Sequence, residues 1–330
     1  MKRIVTKTAI ALAAMTVAMI SLATPTISGV TAQQRFPWNG LVDIVVTLQG
    51  SAEDLCIAEC KFSATNNKTK VAISTGHIVR NGDDAGSGNV WMRKFVWDAK
   101  ADVGTKKIED VALVVDIKML GVILWENGPC WSECNVGATY PEDAGYYFWW
   151  GDTEGYLRNN GNSWVASDGS GRRYSFSRFT CPTYKLSDEG LQSAGYINQH
   201  CNLVAAHDAA TAHLGGPWRL PTKEEFDALI SNCDTEWVER NGTWGRLVTG
   251  KGVYSSKSIF LPAAGEGCDY DINSFGSFGS YWASTSKPCD PSLMTDSWGL
   301  GFDSAAFKQD QYRFLRYFGR SVRPVRDLAK

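Results

Sequence analysis

Histidine is scarce in this chain, with four residues among 330 beside 13 Trp, 12 Tyr and 14 Phe. Histidine is the side chain whose ordinary pKa suits proton transfer near neutral pH, so its scarcity weighs against a histidine-based catalytic site. Charge of one sign is also missing: 33 Lys and Arg stand against 35 Asp and Glu, a formal net charge of −2. Without a basic field the chain lacks the electrostatic footprint of a nucleic-acid binder. Long apolar runs are absent beyond the amino end, where the most apolar stretch, residues 111–125, is interrupted by Asp116 and Lys118. A membrane span needs about 20 apolar residues, so none is expected there. No G-x-S-x-G elbow occurs, and the few histidines leave a hydrolase triad without support. What is present is an ordinary globular composition, 44% hydrophobic and 21% charged, which argues against wholesale disorder. The length suits about two domains.

The first residues read as a secretory leader. Lys2, Arg3 and Lys7 form a basic head, residues 8–23 form an uncharged apolar stretch, and Ser21 and Ala23 supply the small residues of a cleavage site. Cleavage after Ala23 would leave 330 − 23 = 307 residues and move the net charge from −2 to −5. Export to the secreted, periplasmic or cell-surface space is the expected localisation. All nine cysteines, from Cys56 to Cys289, follow the leader, and an exported protein can form disulfides, although an odd number leaves one thiol over. Cys56/Cys60 and Cys130/Cys134 have C-x3-C spacing, which matches neither of the usual zinc spacings, and no histidine accompanies them. Disulfides or buried thiols are expected rather than a metal site.

Residues 24–120 show short β-rich runs between polar turns: residues 42–48, 70–74, 91–97 and 111–117. With no helical period, this region reads as an all-β sandwich domain of immunoglobulin type. Residues 121–330 read differently, as an α+β domain with much loop. A helix is expected over residues 202–212, stopped by Gly215-Gly216. A second is expected after Thr222-Lys223-Glu224-Glu225, a capping box in which hydroxyl and carboxylate satisfy two orphan amides. Phe226, Leu229, Ile230 and Cys233 then fall on one face.

Five ordered segments in this second region carry a resemblance: W-S-E-C-N-V-G-A from Trp131, W-R-L-P-T-K-E-E-F from Trp218, I-F-L-P-A-A-G from Ile259, G-S-Y-W-A-S-T from Gly279 and G-R-S-V-R-P-V-R from Gly319. Together they resemble the Fibrobacter succinogenes major paralogous domain family, over about Leu124 to Arg326. Residues 35–43 resemble a module that precedes such domains in exported bacterial proteins. The family is similar to the formylglycine-generating-enzyme fold, a variant of the C-type lectin fold, and the resemblance implies the fold more than the chemistry. The oxidase of that superfamily holds copper with cysteines near its C-terminus, whereas here no cysteine follows Cys289; soft Cu(I) needs such ligands, so that activity is not expected. No E-P-N or W-N-D segment supports a lectin-type calcium site. No cofactor is expected.

Several motifs come close to known chemistry. Gly245 to Gly252 nearly spells a phosphate loop, but Gly252 stands where Ser or Thr would hold magnesium. Asp269-x-Asp271-x-Asn273 begins like a calcium loop, with Ser274 and Ser280 where Gly and a bidentate Glu belong. His207 and His213 are six apart, not the four that places two ligands on one helix face. Trp218, Arg219, Glu225 and Arg323 are expected to serve the fold, the arginines by bridging backbone carbonyls and carboxylates. Aromatic excess is the remaining signal. Trp149, Trp150, Trp244, Tyr281 and Trp282 are the candidate ligand contacts, since flat rings stack on sugar faces or anchor interfaces, although most of the run from Tyr146 to Trp150 must pack in a core. The expected function is therefore an exported non-catalytic module binding glycan or a cell-surface protein. The alternatives are an enzyme built on a pair of carboxylates and a purely structural surface protein.

Overall fold

The computed structural model of the protein describes residues 25–37, 39–82, 84–104, 111–158, 163–288, 296–308 and 314–328. The expected leader and Cys289 lie outside the described residues. The chain is mostly β-structure and divides into two compact units, Met1–Leu120 and Gly121–Lys330. No helix among the described residues is long and apolar enough to cross a membrane.

The first unit holds, in chain order, β1 (Thr26–Gln34), β2 (Leu41–Gln49), α1 (Ala52–Ile57), β3 (Ala58–Asn66), β4 (Ala72–Ile73), β5 (Ile78–Arg80), β6 (Ala85–Ser87), β7 (Val90–Asp98), α2 (Ala99–Val103) and β8 (Val111–Met119). One sheet runs β1-β2-β7-β5 with β6 also on β7, and the other runs β4-β3-β8. Alternation decides the inward face: Ile44, Val46 and Leu48 of β2 are buried while Val45 and Thr47 between them are not. They share one core with Phe95 and Trp97 of β7, Cys60 and Ala64 of β3, and Leu113 of β8, so the two sheets bury their apolar faces together.

Three features of this unit depart from the sequence expectation. Strand β3 is not among the strands expected from sequence: Ala58, Cys60, Phe62 and Ala64 alternate with Glu59, Lys61, Ser63 and Thr65, but Thr65 is its one β-branched residue. It forms by pairing along its whole length with β8, from Ala58↔Met119 to Asn66↔Val111, so tertiary pairing overrides propensity. Residues 70–74 yield only the two-residue β4, with Lys70 at φ 57° and Val71 exposed. Two short helices interrupt the strands, α1 capped by the Ser51 hydroxyl, which accepts from Asp54 N at 3.1 Å.

The second unit holds β9 (Val122–Ile123), β10 (Cys130–Trp131), β11 (Tyr156–Arg158), β12 (Trp164–Ala166), β13 (Arg173–Tyr174), α3 (Asp188–Ser193), α4 (Ala209–Leu214), β14 (Trp218–Arg219), α5 (Lys223–Asn232), β15 (Cys233–Arg240), β16 (Thr243–Gly250), β17 (Ser258–Pro262), β18 (Glu266–Cys268), β19 (Asp271–Asn273), β20 (Gly279–Ser286), β21 (Ser297–Phe302), β22 (Phe307–Lys308) and β23 (Val325–Arg326). Its sheets are small: β14-β23-β10-β9, β11-β12-β13, β15-β16-β17, β20-β21-β22 and the hairpin β18-β19. Helix α5 carries the capping box, with Thr222 Oγ1 accepting from Glu225 N and Glu225 Oε2 accepting from Thr222 N. Its buried Phe226 and Leu229 join Cys233 in the core. The helix expected from residue 202 is instead α4, capped by Asp208, which takes Thr211 N at 2.9 Å and Leu220 N at 2.8 Å. Gly215 ends it with φ 66°, a conformation that costs glycine little.

Of the cysteines, Cys60, Cys134, Cys181, Cys201, Cys233 and Cys268 are free thiols, so neither C-x3-C pair is a disulfide. Burial pushes the Cys233 thiol up to about 12, which keeps it protonated and unreactive.

Candidate functional site

The five-residue aromatic run, in which Tyr147 and Phe148 make isolated β-bridges, is divided between two cores. Phe148 and Trp150 pack in one cluster, with Tyr146 against it, and Tyr147 and Trp149 pack in another. Period-two alternation sends successive rings to opposite sides, so burial on both sides consumes the whole run. Of the five candidate ligand contacts, Trp149, Trp150, Tyr281 and Trp282 are therefore core residues, at most 4% exposed. Their polar atoms are spent inside. Trp149 Nε1 donates to Tyr317 O at 3.2 Å, Trp150 Nε1 to Ala283 O at 2.9 Å, Trp282 Nε1 to Phe148 O at 2.8 Å, and Tyr281 OH to Pro262 O at 2.8 Å. These bonds satisfy carbonyls that irregular backbone would otherwise bury unpaired. These four rings therefore lie in the interior of the unit and not on its surface.

Arginines do the same work at the carbonyl-rich centre. Arg219 forms a two-pronged pair with Glu225, both bonds at 2.7 Å, and adds Asp327 at 2.7 Å and Leu220 O at 3.2 Å. Burial works against its charge, but the hydrogen bonds and charges of Glu225 and Asp327 prevail and raise its pKa. Trp218 lies under the Arg326 guanidinium, 5.6 Å from ring centre to Cζ. Arg323 is fully buried, giving Nε to Asn135 Oδ1 at 2.9 Å and its other nitrogens to the carbonyls of Ser132, Glu133 and Phe260. Arg316 and Arg320, which the sequence reading did not single out, are equally buried. Arg316 bonds Ser297, Ser286 and the Leu186 carbonyl, and Arg320 pairs with Glu266 at 2.9 Å. Burial pulls the Arg320 pKa down to about 10 despite the nearby charges of Glu266 and Asp296.

The motifs that approached known chemistry resolve into structure. Gly245–Gly250 belongs to β16, with Lys251 and Gly252 in the turn after it, so no glycine loop cradles a phosphate. Asp269 and Tyr270 form the turn of the β18-β19 hairpin. His207 and His213 each face a main-chain carbonyl of residues 151–153. His207 Nδ1 lies 3.3 Å from Gly151 O and His213 Nε2 3.0 Å from Thr153 O. Between them Asp152 accepts from Glu154 N at 3.0 Å and Tyr156 OH at 3.1 Å, and burial raises its carboxyl pKa. A raised carboxyl invites a catalytic reading. Yet the crevice that Asp152 and His207 line with Trp149 and Trp150 has no room for a water-sized molecule. Among the described residues no three His, Cys, Asp or Glu side chains cluster as a metal site.

One predicted contact remains on the surface. Trp244 is 41% exposed at the tip of the β15-β16 hairpin. Asn241 and Gly242, at φ 50° and 83°, form the two-residue turn, the Asn-Gly signature of a type I′ hairpin. That turn fixes the register Trp237↔Arg246 and Glu239↔Trp244, which places all four side chains on one face. The Trp244 and Trp237 rings lie nearly parallel, 10° apart in tilt and 5.9 Å between centres, and the Arg246 guanidinium sits 5.9 Å from the Trp237 ring. Arg246 is itself buried and anchored, Nε and Nη2 donating to Asp303 O at 3.1 and 2.8 Å. Trp237 packs on the core beneath. The layers run from core to solvent as an anchored cation, an inner ring and an outer ring, so the exposed surface is held rigidly. Sequence reading found Trp244 but missed Trp237, Glu239 and Arg246, although the Asn-Gly pair carried the register that joins them.

No family model matches the chain, and neither a curated protein nor a solved structure matches it.

Proposed function

We propose that this is an exported, non-catalytic glycan-binding module whose contact surface is the Trp244–Trp237 platform of the second unit. The observation that carries the reading is the exposed Trp244 ring, flat and backed by a second ring and a fixed guanidinium, while the other candidate rings are buried. A rigid aromatic face offers contact area with little ordering cost on binding, and pyranose rings present flat C–H faces that match it. Supporting the assignment of the second unit to the Fibrobacter succinogenes major paralogous domain family, with a lectin-like fold, are its five landmark segments. Two of them supply Arg219, Glu225, Arg320 and Arg323, which knit the loop-rich backbone. An immunoglobulin-like sandwich for the first unit, acting as spacer or assembly domain, accords with its two antiparallel sheets around one core.

The test is a glycan array probed with the mature protein and with Trp244→Ala. The proposal expects binding to at least one oligosaccharide class and a loss of about tenfold or more in the variant, equivalent to ~1.4 kcal/mol. A blank array, or binding that Trp244→Ala leaves intact, would remove it.

A further inference from the structure

We infer that the platform selects a neutral glycan, and that Glu239 is the residue that sets this choice; the inference rests on the glycan-binding reading above. Glu239 is exposed and is the direct cross-strand partner of Trp244. Opposed residues on an antiparallel pair hold their Cβ atoms about 4.5–5.5 Å apart, so the carboxylate borders whatever rests on the outer ring. An ionised carboxylate only accepts hydrogen bonds, and the hydroxyls of a sugar are its natural donors. A uronate or sulfate group on the same ring would instead meet a like charge, which disfavours it.

The cations nearest in the hairpin do not offset that charge at the tip. Arg240 alternates to the opposite face, where its guanidinium lies 5.3 Å from the Phe260 ring and 3.3 Å from the Glu142 carboxylate. Arg246 is committed to the Asp303 carbonyl beneath the inner ring. Asp303 turns its own carboxylate to the amides of Ala305 and Ala306 at 2.7 and 2.8 Å. The remaining charges of β15, Asp234 and Glu236, alternate to the face opposite Glu239, and Asp234, at the far end of the hairpin, lies 3.7 Å from Lys251. The tip therefore combines an apolar face with an acceptor of negative sign.

Isothermal titration of the mature protein with cellohexaose, mannohexaose, xylohexaose and hexagalacturonate tests this, using wild type, Glu239→Gln, Glu239→Lys and Trp244→Ala. Wild type is expected to bind a neutral hexasaccharide in preference to hexagalacturonate. Glu239→Gln should weaken neutral binding by about three- to tenfold, the effect of losing one charged acceptor. Glu239→Lys should weaken it further and bring hexagalacturonate binding that falls with added salt. Wild-type preference for hexagalacturonate, or a preference unchanged in Glu239→Lys, overturns the inference. If neutral binding depends on Trp244 but not on Glu239, only the specificity claim falls. If no probe binds, or Trp244→Ala binds as wild type does, the platform reading falls with it.

Discussion

Residues 146–150 and the pair Trp237/Trp244 are both groups of large rings, yet they end in opposite settings. The run is buried on both sides because two separate clusters flank it. The hairpin has the core on one side only, and toward its tip the strand extends past the core edge, so Trp237 is half buried and Trp244 exposed. The difference lies in what each strand passes between. Ring count alone does not distinguish a binding surface from filling, whereas burial does. Buried Trp149, Trp150 and Trp282 each donate their indole N–H to a main-chain carbonyl, and the outer ring of the platform rests on another ring.

The sharpest way to break this contrast is Trp282→Ala. Removing a fully buried ring and its hydrogen bond should cost about 3–5 kcal/mol, read as a large drop in the denaturation midpoint. A loss under about 1 kcal/mol would mean that the ring is not part of the packed centre. Next is Arg219→Ala, which takes a two-pronged partner from Glu225 and one bond from Asp327. A destabilisation of about 1–3 kcal/mol is expected, and unchanged thermal stability would sink its structural role.

Trp244→Ala should stand at the other end of the scale. Its ring is exposed and its stacking contributes about 0.5–1.5 kcal/mol at most, so the midpoint should move little while glycan binding is lost. The smallest effect concerns Asp152, beside the buried run. Burial raises its folded pKa above the ordinary carboxylate value near 4. Its favourable contribution is thus complete below pH ~4 and is lost as pH rises through the folded pKa. The stability of Asp152→Asn relative to wild type should accordingly increase between pH 3.5 and 6.5 in thermal melts. A flat difference would show that the carboxyl is not held in that environment.

Sequence pattern and chemistry made part of this legible. The strands now numbered β2, β7 and β8 could be read from alternation, and α5 from its capping box, because those signals are local. Strand β3 stands out less in sequence, since its inward residues are mostly small (Ala58, Cys60, Ala64) and its β-propensity is low, and it is held by pairing with β8. The helix expected from residue 202 starts later, at Ala209, because Asp208 caps it and also accepts from Leu220 N, a contact that depends on the fold. Trp149, Trp150, Tyr281 and Trp282 looked like ligand contacts because two-sided burial leaves no mark in sequence. The platform is half legible: Trp244 stands out as an aromatic, whereas Glu239 opposite it and Trp237 diagonal to it follow only from the register that the Asn-Gly turn sets.

The central claim is that one aromatic surface, and not the aromatic excess as a whole, meets the ligand. Its most direct test follows the indole N–H resonances of the ¹⁵N-labelled protein during titration with the neutral hexasaccharides. The account predicts that the Trp244 signal shifts, with a smaller response at Trp237, while those of Trp149, Trp150 and Trp282 stay in place. Saturating shifts at the buried tryptophans with Trp244 unmoved would contradict it.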